Sequence, residues 1–205
     1  MAKEKILIDN LKYEKEEQSK GLTLIAGVDE VGRGPLAGPV VVACVIMPTD
    51  DIIEGVDDSK KLSEKKREKL YSAILEKAIC YNIVSVDEKT IDEINILEAT
   101  KKAMREAICG MKVTPEVVLI DAVKLTVPVK TVSIIKGDQL SYNISCASIV
   151  AKVYRDRLMN DYATTYPEYG FERNKGYGTK EHIEALEKFG ATPIHRRSFI
   201  TKFVK

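Results

Sequence analysis

Four carboxylates stand out for where they fall in the chain. Asp29 and Glu30 follow Leu24-Ile25-Ala26-Gly27-Val28, Asp121 follows Val117-Val118-Leu119-Ile120, and Asp138 follows Val132-Ser133-Ile134-Ile135-Lys136-Gly137. Each run is short, apolar and rich in β-branched residues, so each acid is expected at or just past the C-terminal end of a strand. Open α/β sheets collect ligands at that rim. Neighbouring strands lie ~4.8 Å apart, which lets side chains from two strand ends converge. Carboxylates drawn together cannot all stay ionised without a counter-charge. A divalent cation supplies one, and an all-oxygen donor set favours a hard ion, Mg2+ or Mn2+. The presence of only 2 histidines, His182 and His195, argues against a His-rich zinc or iron site. A single strand-end Asp more often just caps a turn. Three strand-end acids in one small domain shift the reading to a metal site. Strict strand alternation points Glu30 away from Asp29, unless the glycines that follow re-aim it.

The elements that must position these acids follow from patterning. Thr23 to Val28 reads as a strand, and the unalternating apolar run Val40 to Met47 as a strand buried on both faces. Ser63 to Ile79 has helical spacing, with Leu70, Ile74 and Ala78 on one face. Tyr81 to Val86 is a strand. Asn95 with Glu98 forms a capping-box signal for a helix that Gly110 ends after Cys109. Val117 to Ile120 and Thr131 to Ile135 are strands. A long helix runs from about Ser141 to Thr164, Pro167 and Gly170 break the chain, and Thr179 caps a last helix ending at Gly190. Strands alternating with amphipathic helices describe an α/β protein with a mixed sheet. Residues 1–20, dense in Lys12, Glu14, Lys15, Glu16, Glu17 and Lys20, read as a charged leader, a short helix or a mobile arm. Residues 21–205 form the main domain.

Composition narrows the class. The 205 residues are 44% hydrophobic and 31% charged, with net charge +1, as in an ordinary globular protein. Charge is uneven: residues 1–135 hold 20 Lys/Arg and 23 Asp/Glu, and residues 136–205 hold 12 and 8. A basic C-terminal third suits a phosphate-contacting face. The 4 cysteines, Cys44, Cys80, Cys109 and Cys146, lack Cys-x-x-Cys spacing, which argues against zinc or a disulfide framework. No signal-peptide core and no run long enough to span a bilayer are present, so a cytoplasmic protein without membrane contact is expected. The phosphate-loop motif is absent, and glycines at 27, 32 and 34 lack dinucleotide-fingerprint spacing.

Longer motifs add to this reading. Gly27-Val28-Asp29-Glu30-Val31-Gly32-Arg33-Gly34-Pro35-Leu36-Ala37-Gly38-Pro39-Val40 closely resembles the signature segment of the bacterial ribonuclease HII family. So do Asp58-Ser59-Lys60-Lys61-Leu62, Lys136-Gly137-Asp138, Ala147 to Val153 with Arg155-Asp156, Gly176-Tyr177-Gly178-Thr179 with His182, and His195-Arg196-Arg197-Ser198-Phe199. These segments stand in the family's order across roughly residues 22–200. Val31 and Ala122 depart from the commoner Ala and Gly, and neither change removes a polar group.

The resemblance implies a ribonuclease H-like fold, a mixed five-stranded sheet flanked by helices with a small helical C-terminal part over the substrate. It implies an endonuclease that cuts the RNA strand of RNA–DNA hybrids, and duplex DNA 5′ of an embedded ribonucleotide, leaving 5′-phosphate and 3′-hydroxyl ends. It places the catalytic, metal-holding acids at Asp29, Glu30, Asp121 and Asp138, and ribose sensing at Gly32, Arg33, Gly34 and Tyr177. Two ions would clamp the in-line displacement, with Asp29 as bridging ligand. Arg33, Lys60, Lys61, Lys152, Arg155, Arg196 and Arg197 are expected phosphate contacts. Ser148 is expected either to touch phosphate or to pack a helix, and Asp156 to be a structural partner. A monomer is the default. The alternatives are a non-catalytic nucleic-acid module, the sister ribonuclease HIII type, whose sizeable N-terminal domain the twenty leading residues do not match, and a metal nuclease or integrase acting on DNA junctions.

Overall fold

The computed structural model describes residues 10–204. Its sheet is built of β1 (Ile25–Val31), β2 (Val40–Ile46), β3 (Cys80–Val86), β4 (Val117–Asp121) and β5 (Lys130–Ile134). They lie in the order β3-β2-β1-β4-β5. β2 pairs antiparallel with β1 and β3, while β1–β4 and β4–β5 are parallel. The sheet is therefore mixed, as expected. Every residue of β2 is buried, because helices cover both faces.

On one face lies α3 (Glu88–Cys109), whose Ile91, Ala99, Ala103, Met104 and Ala107 pack against Ala26, Val28, Val42 and Cys44. On the other lie α2 (Glu64–Lys77) and the long helix α5 (Tyr142–Thr165). Ser63 caps α2 and Ser141 caps α5, each side chain accepting from a backbone N–H of the first turn. α5 lies directly on β1. A β-carbon added at Gly27 would sit 2.1 Å from the Asn143 carbonyl carbon, so the strand and helix backbones meet at a position only glycine allows.

Past its middle, α5 leaves the sheet and carries the C-terminal part. This comprises α6 (Phe171–Asn174), α7 (Lys180–Phe189) and α8 (Arg197–Ile200). Met159, Tyr169, Phe171, Leu186 and Ile200 form its apolar centre with Leu36 and Ala37 of the β1–β2 loop. The helix at 197–200 extends beyond the helix read as last in the sequence. α3 also begins earlier than the Asn95 signal implied. Asp87 caps it, and Asn95, at φ 65°, interrupts it and accepts from the N–H groups of Leu97 and Glu98. The Asn95 cap is real, but it opens the second half of a kinked helix.

In the charged leader, residues 1–9 lie outside the described residues. The remainder forms α1 (Lys12–Gln18), which is packed into the fold. Glu14 is fully buried and its Oε1 accepts from Ser141 Oγ at 2.6 Å and Asn143 N at 3.0 Å. A carboxylate thus sits at the N-terminus of α5, where unpaired N–H groups favour negative charge. Burial nevertheless raises the Glu14 pKa above its ordinary value, against those hydrogen bonds. Glu17 pairs with Lys130 of β5 at 2.5 Å.

Glu14→Ala is expected to lower stability by about 1–3 kcal/mol, because Ser141 and Asn143 lose a buried acceptor. Gly27→Ala is expected to cost roughly 3 kcal/mol or more, since backbone rather than a flexible side chain must move. Urea unfolding of both variants checks the ranking, with Gly27→Ala the more severe.

Candidate active site

Asp29 lies on β1 and Asp121 ends β4. The register Val28↔Ile120 places them side by side on adjacent parallel strands. Asp29 faces α5, on the same side of the strand as Gly27, and is bonded by the Ser148 hydroxyl. Ser148 Oγ in turn lies 2.9 Å from Ser59 Oγ. The Glu30 N–H donates to Asp29 Oδ1 at 2.8 Å. Asp121 Oδ1 accepts from Gly137 N at 2.7 Å, in the turn where Lys136 takes a left-handed conformation and α4 (Gly137–Leu140) begins. Asp138 lies in α4, and its backbone carbonyl accepts from Ser145 Oγ of α5. The strand does continue through Glu30, so its side chain leaves from the face opposite Asp29 and pairs with Arg33 at 3.3 Å.

Electrostatics tie the four together. Burial pushes the Asp29 pKa well above the usual carboxylate range, and Glu30 and Asp121 push it further. Glu30 is raised by burial and by Asp121, against Arg33. Asp121 is raised by burial and by Asp138, against the Gly137 N–H and Lys60. Lys60 Nζ lies 3.1 Å from Asp138 Oδ2. Burial works against the Lys60 charge, but Asp138, Asp29 and Asp58 raise its pKa overall. Glu30 Oε2 is buried without a hydrogen-bond partner. Among the described residues no three acids are gathered closely enough to hold an ion as they stand. An orphaned carboxylate oxygen, mutual repulsion and an oxygen-only donor set nonetheless fit a hard divalent cation, which would relieve all three.

The basic residues divide sharply. Arg33, Lys60, Lys61 and Arg197 reach solvent. Arg197 lines a surface groove with Lys89, Asp92 and Pro193. Arg155 and Arg196 do not meet the expectation of phosphate contact, for both are 0% exposed. Arg155 donates to the carbonyls of Pro39, Ala37 and Lys175, at 2.9 to 3.0 Å. Arg196 donates to the carbonyls of Gly32, Arg33 and Gly38. The β1–β2 loop has few ladder partners, so these two guanidinium groups satisfy its carbonyls. Lys152 pairs with Asp156 at 2.6 Å, and Asp156 also meets Arg67, so Asp156 is a structural partner as expected and Lys152 is not free. Arg155 and Lys152 therefore serve different neighbours despite their spacing.

Gly32, at φ 92°, lies under Arg155; a β-carbon there would be 2.3 Å from the guanidinium Nε. Gly34 faces the Tyr177 ring, which would lie 3.7 Å from an added β-carbon. The two loops are joined where Leu36 N donates to Gly176 O at 2.8 Å. Tyr177 itself is 43% exposed, with its ring available above the loop.

Glu88 carried no mark in the sequence, and nothing local showed that His182 and His195 would meet. Glu88 is buried with an unpaired Oε1, and its charge acts on both Arg155 and Arg196. His182 and His195 meet nitrogen to nitrogen at 2.9 Å. Of the cysteines, Cys44, Cys80 and Cys146 are buried and Cys109 is exposed; all are free. Among the described residues no helix is long and apolar enough to cross a membrane.

A mixed five-stranded sheet in this order, with acids at the ends of its central strands, defines the ribonuclease H-like class of fold. Two solved structures share it. The ribonuclease H2 of Pyrococcus horikoshii OT3 superposes with TM-score 0.72 at 30% identity, covering 85% of this chain and 92% of its own. The RNase HII of Archaeoglobus fulgidus, solved in complex with PCNA, gives 0.71 at 27% identity, covering 86% and 94%. The Ruminiclostridium cellulolyticum ribonuclease HII is 57% identical over 196 residues, 95% of this chain and 77% of that protein. The family model for ribonuclease HII matches residues 26–202. The chain belongs to the ribonuclease HII family and is an endonuclease, a hydrolase of the ribonuclease H type.

Burial depresses both histidines, His195 to about 4. The unfolded value is about 6.5. A depressed folded pKa contributes stability that is present above the unfolded value and is lost as pH falls through the folded one. The stability advantage of wild type over His195→Asn should therefore shrink as pH falls from 6.5 towards 4. Paired urea titrations at several pH values measure it, and the carboxylates, common to both proteins, cancel.

Proposed function

We propose that this enzyme hydrolyses the RNA strand of RNA–DNA hybrids, and cuts duplex DNA 5′ of an embedded ribonucleotide, leaving 5′-phosphate and 3′-hydroxyl ends. One observation carries the reading: the loop that leaves the buried acids of β1 lies directly against the Tyr177 loop. A single backbone segment thus has the acids Asp29 and Glu30 at one end and, further along, Gly34 facing the exposed Tyr177 ring. A nuclease selective for ribose needs both, within a nucleotide's length of each other.

Asp29, Asp121 and Asp138, with Glu30, whose charge acts on Asp29 and feels Asp121, are the residues that would hold Mg2+ or Mn2+. When bound, a pair of such ions supplies an acidified water, charge neutralisation at the phosphate and help for the leaving oxygen. The chain's own groups prepare the site. Ser148 and the Glu30 N–H orient Asp29, and the Gly137 N–H orients Asp121. Lys60 holds Asp138 and keeps a cation beside the acids. Arg33, Lys61 and Arg197 are exposed and suited to phosphate. Gly32 and Gly34 let backbone groups approach the sugar, and the Tyr177 phenol is suited to the 2′-hydroxyl, the group that separates RNA from DNA.

Labelled duplexes of all DNA, RNA–DNA hybrid and DNA with one ribonucleotide, incubated with Mg2+, Mn2+ or chelator, test the assignment. Cleavage confined to the ribose-containing duplexes and abolished by chelator is expected; cutting of all-DNA duplex would overturn it. Asp29→Asn should lose several orders of magnitude in rate. It should unfold in chelator at no lower urea than wild type, because it removes one of three mutually repelling acids. Tyr177→Ala should lower kcat/KM on the single-ribonucleotide duplex by about a hundredfold, as expected when a hydroxyl-recognising contact is removed. Unchanged steady-state kinetics would count against the ribose-sensing role.

A further inference from the structure

Two imidazoles are buried beside Tyr177, at 0% and 2% exposure, and neither touches the acids. His182 Nε2 lies 2.9 Å from His195 Nε2. His182 Nδ1 lies 2.9 Å from the Tyr177 carbonyl oxygen. His195 Nδ1 lies 2.9 Å from Thr192 N and 2.8 Å from its hydroxyl.

The partners dictate the tautomers. A carbonyl only accepts, so His182 carries its proton on Nδ1. The Thr192 N–H only donates, so His195 Nδ1 is bare. Neutral His195 then carries its proton on Nε2 and donates it to the bare Nε2 of His182. The two assignments agree, and one proton on each ring, with the Thr192 N–H and hydroxyl as donors to His195 Nδ1, satisfies all four contacts. The chain of bonds runs in one direction, from Thr192 through both rings to Tyr177.

The surroundings show what this chain of bonds holds. His195 bridges to Ala37, Gly38 N donates to Ile194 O, and Arg196 N donates to Leu36 O. Leu36 N donates to Gly176 O, and Thr179 N supplies a second donor to the Tyr177 carbonyl. The β1–β2 loop, segment 194–196, α7 and the Tyr177 loop therefore close a ring of hydrogen bonds, and the two histidines span its middle. Apolar side chains would fill the same space without the desolvation that two imidazoles suffer.

We propose that His182 is a positioning residue for substrate selection: His195 fixes its tautomer, and its Nδ1–H fixes the backbone at Tyr177 and so sets the reach of the phenol over Gly34. The proposal rests on the reading of Tyr177 as the ribose contact.

Amide substitutions separate the two ends of His182. The Asn Nδ2 takes the place of Nδ1, so His182→Asn keeps the donor to Tyr177 and gives up His195. The Gln amide reaches the place of Nε2, so His182→Gln keeps His195 and gives up Tyr177. On the single-ribonucleotide duplex with Mg2+ or Mn2+, His182→Asn should stay within about threefold of wild type in kcat/KM. His182→Gln should lose about tenfold to a hundredfold, the effect of a small misplacement. That loss should largely vanish in a Tyr177→Ala background, since residues acting through one contact are not additive.

His182→Gln at wild-type kcat/KM while Tyr177→Ala is impaired would overturn the positioning role and leave ribose sensing intact. Tyr177→Ala at wild-type kcat/KM would overturn both. Should the variants fold poorly, imidazole nitrogen-15 spectra of the wild-type protein at neutral pH still decide. One Nδ1–H ring and one Nε2–H ring are expected, and two rings of the same tautomer, or a charged ring, would overturn the proposal.

Discussion

The approach of α5 to β1 at Gly27 is the constraint on which the rest of the site depends. With no side chain between them, helix and strand backbones touch. The residues that follow on each element are then held in fixed relation: Asp29 two positions along the strand, Ser148 one turn along the helix. The same helix carries Arg155 to the β1–β2 loop and, through Ser145, supports the turn that holds Asp138. Glu14 anchors its first turn. A side chain at position 27 would move all of these together, because protein interiors do not deform locally without repacking.

Around that contact the molecule tolerates unfavourable electrostatics. Asp29, Glu30 and Asp121 are placed where burial and mutual repulsion oppose their charge. Such clusters of perturbed carboxylates are characteristic of functional sites, since a purely structural role would be served by one acid with good partners. Lys60 offsets part of the charge from a flexible, exposed stem, so the compensation can move when substrate or cation arrives. Arg155 and Arg196 do the opposite. They are fixed, buried and committed to loop carbonyls, with Glu88 as their nearby acid. The two buried cations hold the β1–β2 loop, while Arg33, Lys60 and Lys61 stay exposed.

Legibility of the sequence followed the range of the interaction concerned. Strand runs, helix starts near Ser63 and Ser141, the cap at Thr179, and the strand-end placement of Asp29 and Asp121 were readable, because periodicity and capping act over a few residues, whereas Asp138 falls in the short helix α4 rather than at the end of β5. Boundaries were less so. Asn95 carries a genuine capping signal, yet the chain has already been helical since Glu88, and only the packing of Ile91 into the core keeps that first turn in place. Glu14 looked like one charge among many in a solvated leader, since nothing local distinguishes an acid that will meet a helix N-terminus 127 residues away.

By itself, then, the sequence determined the α/β class, the strands that bear Asp29 and Asp121 and, through its motifs, the family. Only the tertiary structure decided which charges face water. Lys60 and Arg196 are equal as letters, and their spacing to neighbours says nothing about the carbonyls of a loop more than 150 residues earlier in the chain that Arg196 satisfies. The pairing of His182 with His195 was likewise beyond reach, because it depends on two segments meeting in space and on tautomers set by the groups at either end of the pair. Local order is encoded in spacing, whereas burial and partner choice emerge when distant segments exclude water together.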